Sequence, residues 1–266
     1  MGEMTKKRID LLLVENGLVE SDDMAKRLVM AGQVRANGQV IINPAMLVDP
    51  ASDLVLDSGP RFVSRGGEKL ETALTGFRVK VANKVCADIG TSTGGFTDCL
   101  LQSGATRVYA IDVGHGILDW KLRQDARVIV MEGTNARYID HLPERVDLVT
   151  VDASFISLKT LIPVIRGWLC TPGQVITLIK PQFEASRKQA ARNKGVIRDP
   201  EIHQEILLDI LTFSQQEGFE PRSVLRSPLL GPKGNKEFLL YLIYPQQRER
   251  DLKNIVSNLM LLGDGE

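Results

Sequence analysis

Residues 85–96 read Val85-Cys86-Ala87-Asp88-Ile89-Gly90-Thr91-Ser92-Thr93-Gly94-Gly95-Phe96. An apolar run carries an acidic residue, a glycine-rich turn follows, and a helical pattern opens over 95–103. Glycines at such a turn let the backbone bend sharply and come close to a ligand, with the N–H groups of the helix start facing it. A loop of this kind at the carboxyl end of the first strand is where α/β sheets hold nucleotides.

The spacing narrows the ligand. A dinucleotide loop reads GxGxxG, whereas Gly90–Gly95 reads GTSTGG, and no Lys-Ser or Lys-Thr ending marks a Walker phosphate loop. The next run, Tyr109-Ala110-Ile111, ends at Asp112. An acidic residue before the first glycine together with Asp112 suits S-adenosylmethionine, with Asp112 accepting hydrogen bonds from both ribose hydroxyls. The competing reading is a structural turn with Asp112 as a helix cap.

Working outward, apolar runs recur at Val85–Ile89, Val108–Ile111, Val128–Met131, Leu148–Val151 and Val175–Ile179. Helical stretches near 95–103, 157–168 and 201–217 alternate with them. This alternation predicts an α/β fold, a Rossmann-like, mostly parallel sheet with helices on both faces. Late strands are expected over 221–226 and 237–244, and a C-terminal helix over 246–262.

Upstream lies a small α+β unit. Ile9, Leu12, Leu13 and Leu18 form one helical face, and Ser21 is an N-cap for a second helix carrying Met24, Ala25, Leu28, Val29 and Met30. Asn37-Gly38 is a hairpin turn signal, and Asp53–Leu56 reads as a strand. The expected division is a module over 1–58, a linker over 59–67 rich in glycine, and a main domain over 68–266.

The chain has 266 residues, with 33 Lys and Arg against 33 Asp and Glu. A nucleic-acid partner therefore cannot be argued from net charge, and any basic surface is local. One such stretch exists: Lys180–Arg198 holds six Lys and Arg and one Glu. Cys86, Cys99 and Cys170 form no CxxC pair, and His115, His141 and His203 have no metal spacing, so neither a disulfide framework nor a metal site is expected. The histidines are read as surface or capping residues, and Trp120 and Trp168 as core. With no signal-peptide pattern at the start and no apolar run of membrane length, the expectation is a cytoplasmic protein without a membrane partner.

Several motifs together carry a resemblance. Arg8–Glu15 with Gly32–Gly38 resembles the RNA-binding module of the ribosomal-protein S4 type. Ser64-Arg65-Gly66-Gly67-Glu68-Lys69-Leu70, Asp88-Ile89-Gly90, Val151–Phe155 and Lys180-Pro181-Gln182-Phe183-Glu184 resemble FtsJ-like RNA methyltransferases. With Gly231–Phe238 near the end, their order is similar to the TlyA (hemolysin A) family. The resemblance implies a ribosomal RNA 2′-O-methyltransferase acting on cytidine, with ribosomal RNA or ribosomal subunits as partner. It also implies a Lys-Asp-Lys-Glu tetrad, matched here by Lys69, Asp152, Lys180 and Glu237. One departure stands out: residues 1–65 hold eight Lys and Arg against nine Asp and Glu, an acidic balance for an RNA platform.

Methyl transfer from a sulfonium to a hydroxyl is an in-line displacement, and the hydroxyl is a poor nucleophile until its proton leaves. Lys180, at a strand end, is the expected base or hydroxyl-orienting group. Lys69 supplies positive charge beside the developing alkoxide, and Asp152 and Glu237 position the lysines. Singly, Lys69 and Lys180 read more readily as solvated surface lysines and Glu237 as the start of an edge strand, whereas Asp152 sits where a strand ends and motif residues gather. Cofactor contacts are expected from Ser64, Gly66, Asp88, Gly90, Ser92, Gly94, Gly95, Phe96, Asp112 and Asn135. RNA contacts are expected from Arg8, Lys26, Arg27, Arg35, Arg187, Lys188, Arg192 and Lys194. Two other classes remain open: a non-catalytic RNA-binding protein, and a cytolysin as the hemolysin name suggests.

Overall fold

The computed structural model describes residues 6–57, 59–192 and 195–261. Its contacts divide the chain into two units, the first ending at Arg61 and the second beginning at Phe62.

The first unit contains β1 (Lys7–Arg8), α1 (Ile9–Glu15), α2 (Asp22–Met30), β2 (Val34–Ala36), β3 (Gln39–Ile41), β4 (Leu47–Val48) and β5 (Leu54–Leu56). Strands β3, β2 and β5 form an antiparallel sheet, and β1 pairs with β4. Asn37 and Gly38 join β2 to β3 with φ of 50° and 79°. Two positive φ values in a two-residue turn match the right-handed twist of the strands it joins. The Ser21 hydroxyl accepts the Met24 N–H at 3.3 Å and caps α2. Ile9, Leu12, Leu13, Ala25 and Val29 pack on Val34, Ile41 and Val48. Leu18, Met24 and Met30 are exposed instead of joining this face. Leu18 lies past the end of α1, where the helical period no longer holds, and Val19 takes the buried position.

In the second unit α3 (Gly66–Gly76) precedes β6 (Val85–Ile89), α4 (Gly95–Gln102), β7 (Arg107–Ile111), α5 (Trp120–Arg123), β8 (Val128–Met131) and β9 (Val146–Val151). Then come α6 (Leu158–Trp168), β10 (Leu169–Ile179), α7 (Pro181–Glu184), α8 (Arg187–Arg192), α9 (Pro200–Gln216), β11 (Glu220–Arg226), β12 (Phe238–Tyr244) and α10 (Leu252–Leu261). The sheet order is β11-β12-β10-β9-β6-β7-β8. Strands β6 to β10 are parallel, and β12 runs antiparallel between β10 and β11.

Side chains of the inner strands alternate between two cores. Ile89, Ile111, Val149 and Val151 join α6, α9 and α10, while Cys86, Val108, Ala110 and Leu148 join α3, α4 and α5. Burial on both faces is why these strands read as continuous apolar runs. Residues 62–67, expected as linker, belong to the second unit: Phe62 is buried and packs on Gly67, and α3 already starts at Gly66. Trp168 is core, its Nε1–H donating to the Ile139 carbonyl, but Trp120 is 72% exposed at the first position of the four-residue α5. His203 is buried rather than superficial, its ring against Phe238 and its Nε2 3.0 Å from the Ile197 carbonyl.

Candidate active site

The parallel strands end on one edge, and so does the start of the antiparallel β12. Asp112, Asp152 and Lys180 each follow the last residue of β7, β9 and β10. Glu237 precedes the first residue of β12, and the register pairs Ile179 with Phe238. The two ladders therefore bring Lys180 and Glu237 to one edge from opposite chain directions.

Two clefts open there. The first, of about 600 Å³, is lined by Lys69, Asp152, Lys180 and Glu237 with Ser64 and Gly66. The second, of about 450 Å³, is walled by Ile111, Val113, Ile117, Ala136 and Ile156, with Asp112 and Asn135 among its polar groups. Gly90, Ser92, Asp152 and Ser154 line both, so the clefts adjoin.

In the first cleft, Lys69 Nζ donates to Glu237 Oε2 at 2.7 Å, with both side chains largely buried. Glu237 Oε1 has no hydrogen-bond partner among the described residues and lies beneath Gly231, where a Cβ would come within 2.1 Å of it. Lys180 Nζ donates to Ser154 Oγ at 2.9 Å and to the Asp152 carbonyl at 3.3 Å. It also sits 2.7 Å from Asp152 Oδ1, an ion-pair contact without hydrogen-bond alignment. The four groups are thus two pairs, each lysine held by one carboxylate. Gly90 makes the junction: at φ of 80°, its Cβ position lies 2.7 Å from the Asp152 carbonyl, a closeness that requires glycine.

In the second cleft, the Asp112 carboxylate accepts the Ser92 and Gly114 N–H groups at 2.7 and 2.8 Å. Each oxygen keeps a free lone pair for a ligand hydroxyl. Asn135 Oδ1 accepts the Arg137 N–H at 3.1 Å. Glu132 fixes the turn carrying Ile117 by accepting the Gly116, Ile117 and Leu118 N–H groups. Its hydrogen-bonded ion pair with Arg123 chiefly, and then these N–H groups, hold its carboxyl down at about 2. Flat apolar walls with one carboxylate at a strand end fit the adenosine of S-adenosylmethionine.

Two expected cofactor residues face elsewhere. Asp88 is fully buried beneath the loop and accepts the hydroxyls of Thr97 at 2.7 Å and Thr150 at 2.8 Å. Strand alternation turns it toward α4, and burial pushes its carboxyl up to about 7. Gly94, at φ of 101°, backs onto Leu118 and Leu122 and lines neither cleft. Ser64, Gly66, Gly90, Ser92, Gly95 and Phe96 all line the first cleft, and Asp112 and Asn135 the second. Ser154, Phe155 and Glu132 went unassigned from the sequence. Only Phe155 carries a strong structural mark, at φ of 62° with an exposed ring 4.9 Å from that of Phe183.

The expected RNA contacts are dispersed. In the first unit Arg8 is chelated by Asp10, Arg35 pairs with Asp57, and Arg27 donates to the Asp23 carbonyl, while Lys26 is half-buried. In the second, Arg187, Lys188 and Arg192 lie on α8, with Lys188 exposed, and Lys194 falls outside the described residues. Among the described residues no cluster of three or more metal-ligating side chains occurs, and no helix is long and apolar enough to cross a membrane.

A seven-stranded sheet of this order, with a glycine loop after its first parallel strand and an acidic residue after the second, defines a methyltransferase of Rossmann-like fold. The FtsJ-like methyltransferase model matches residues 62–244 and the S4 domain model residues 7–55. The chain belongs to the FtsJ-like methyltransferase family, whose methyl donor is S-adenosylmethionine. It is 47% identical to YqxC of Bacillus subtilis, named as a candidate rRNA methyltransferase, over 90% of this chain and 86% of that one. It is 41% identical to TlyA of Mycobacterium tuberculosis, a 16S/23S rRNA (cytidine-2′-O)-methyltransferase, over 94% of each. A solved structure of a candidate hemolysin from Streptococcus thermophilus aligns with a TM-score of 0.72 at 41% identity, covering 97% of both chains.

Proposed function

We propose that the protein methylates the 2′-hydroxyl of a cytidine in ribosomal RNA, working on ribosomal subunits in the cytoplasm. The observation that carries this reading is the convergence of Lys69, Asp152, Lys180 and Glu237 on one cleft that adjoins the adenosine-shaped one.

S-adenosylmethionine supplies the methyl group, and Asp112, Asn135 and the loop 90–96 hold it. A ribose hydroxyl entering the first cleft meets Lys180 Nζ, which has Ser154 Oγ and Asp152 as acceptors. Nζ orients the hydroxyl oxygen and, as a neutral amine, can receive the hydroxyl's proton as the methyl group is transferred. Lys69, held by Glu237, adds positive charge beside the oxygen as negative charge develops there. Asp152 and Glu237 fix the lysines, so much of the rate gain comes from alignment. RNA is held by the S4-type module through Arg8, Lys26, Arg27 and Arg35, and by the basic stretch with Arg187, Lys188, Arg192 and Lys194.

The test is transfer of radiolabel from methyl-labelled S-adenosylmethionine to purified ribosomal subunits, followed by nucleoside digestion. Label in 2′-O-methylcytidine supports the reading. Label in a base, or none from active preparations, refutes it.

A further inference from the structure

The charges lining the first cleft do not balance. Its inner lysines are each neutralised, Lys69 by Glu237 and Lys180 by Asp152. Two more cations line it, Arg65 and Lys233, both exposed, and neither side chain has a hydrogen-bond or ion-pair partner among the described residues. They stand on different elements: Arg65 precedes α3, and Lys233 sits in the turn between β11 and β12.

The backbone marks Lys233 independently. It lies at φ of 59°, a left-handed conformation that costs a β-carbon residue energy and that glycine adopts freely. The turn is locked around it. The Gly231 N–H donates to the Asn235 carbonyl at 2.8 Å, and the Gly234 N–H donates to the Gly231 carbonyl at 3.0 Å. The buried Asn235 amide donates to the carbonyls of Gly195 and Pro232, both at 3.1 Å. A strained lysine, held rigidly with a free ammonium on a cleft whose inner charges are already paired, is arranged for an anion from outside.

We infer that Lys233 and Arg65 grip backbone phosphates on either side of the nucleotide whose ribose enters the cleft. This rests on the RNA reading above and adds to it two substrate contacts outside the tetrad, in which the phosphodiester, not the base, is recognised. The competing anion is the carboxylate of S-adenosylmethionine, since Ser64 and Gly66 line the same cleft.

The experiment uses the full chain and purified ribosomal subunits. The subunit concentration giving half-maximal single-turnover methylation is measured across a potassium chloride series for wild type, Arg65→Ala, Lys233→Ala, Lys233→Gly and Lys80→Ala. Lys80 is exposed and lines neither cleft, which makes it the control. Loss of one phosphate contact lowers the slope of log affinity against log salt by about 0.7 for a single strand. That drop is expected for the Arg65 and Lys233 variants, with several-fold weaker subunit binding and an unchanged KM for S-adenosylmethionine. Lys80→Ala should match wild type. Lys233→Gly should also melt at a higher temperature, because it removes the strain while losing the contact. Wild-type salt slopes in the Lys233 variants overturn the inference, as does a raised cofactor KM with unchanged subunit binding, which would assign the cations to the cofactor carboxylate. Either result leaves the methyltransferase reading intact; inactivity of wild type toward RNA would instead refute that reading.

Discussion

Lys180 is the residue on which the proposed chemistry turns. Its Nζ contacts belong to the substrate cleft, whereas Asp112 belongs to the neighbouring one. Lys180→Ala should therefore slow single-turnover methylation by about two to four powers of ten with little change in cofactor affinity. Asp112→Ala should do the reverse, losing cofactor affinity first and recovering rate at high cofactor. Wild-type turnover in Lys180→Ala would remove this lysine from the mechanism. Lys69 poses a different problem, because Glu237 is fully buried and Lys69 is its ion-pair partner. Removing one member of a buried pair strands the other at a cost of about 3–5 kcal/mol, whereas replacing both by apolar groups is often neutral. Lys69→Ala should lower the melting temperature sharply, and Lys69→Met with Glu237→Leu should restore it without restoring activity. Recovery of activity in the double variant would reduce the pair to a structural role. Lys69, Lys180 and Glu237 were legible in the sequence only through family resemblance, since a lone lysine carries no mark of what lies across from it, whereas Asp112 could be read from its place after the second parallel strand.

At the scale of elements, Asp88 joins three: it is the penultimate residue of β6 and binds Thr150 of β9 and Thr97 of α4. Its carboxyl is raised by burial to about 7, above the ordinary 3.8. A raised carboxyl makes a contribution that is full below the ordinary value and is lost as pH rises through the folded one. Asp88→Asn keeps an acceptor for Thr150 and never ionises. It should melt higher than wild type at pH above about 7 and gain progressively less as pH falls toward the ordinary 3.8, as calorimetric scans across that range would register. A uniform loss across it would mean that the carboxylate is needed charged. Local patterns explain why the glycine loop and the parallel strands could be read from sequence: each is a short apolar run or turn with its own signal. The aim of Asp88 was misread because it depends on which face of β6 meets α4. The role of Glu237 depends on β12 inserting antiparallel between β10 and β11, a long-range pairing that no local window contains.

For the whole molecule, the contact division after Arg61 separates a small core of its own from the two cores of the catalytic unit. Residues 62–266 should fold alone, with a cooperative melt, and lose activity on ribosomal subunits. Full activity of that fragment would make the S4-type module dispensable. The acidic balance of that module sharpens the point: Arg8 and Arg35 are already paired with carboxylates, so RNA must compete for them or use other cations. The fold, with its two adjoining clefts, is proposed to serve ribose methylation of ribosomal RNA. The most direct measurement is a map of 2′-O-methyl sites across ribosomal RNA from cells with and without the protein. At least one cytidine should carry the modification only when the protein is present, and should lose it again when Lys180→Ala replaces wild type. Identical maps in the two cell lines would contradict that role.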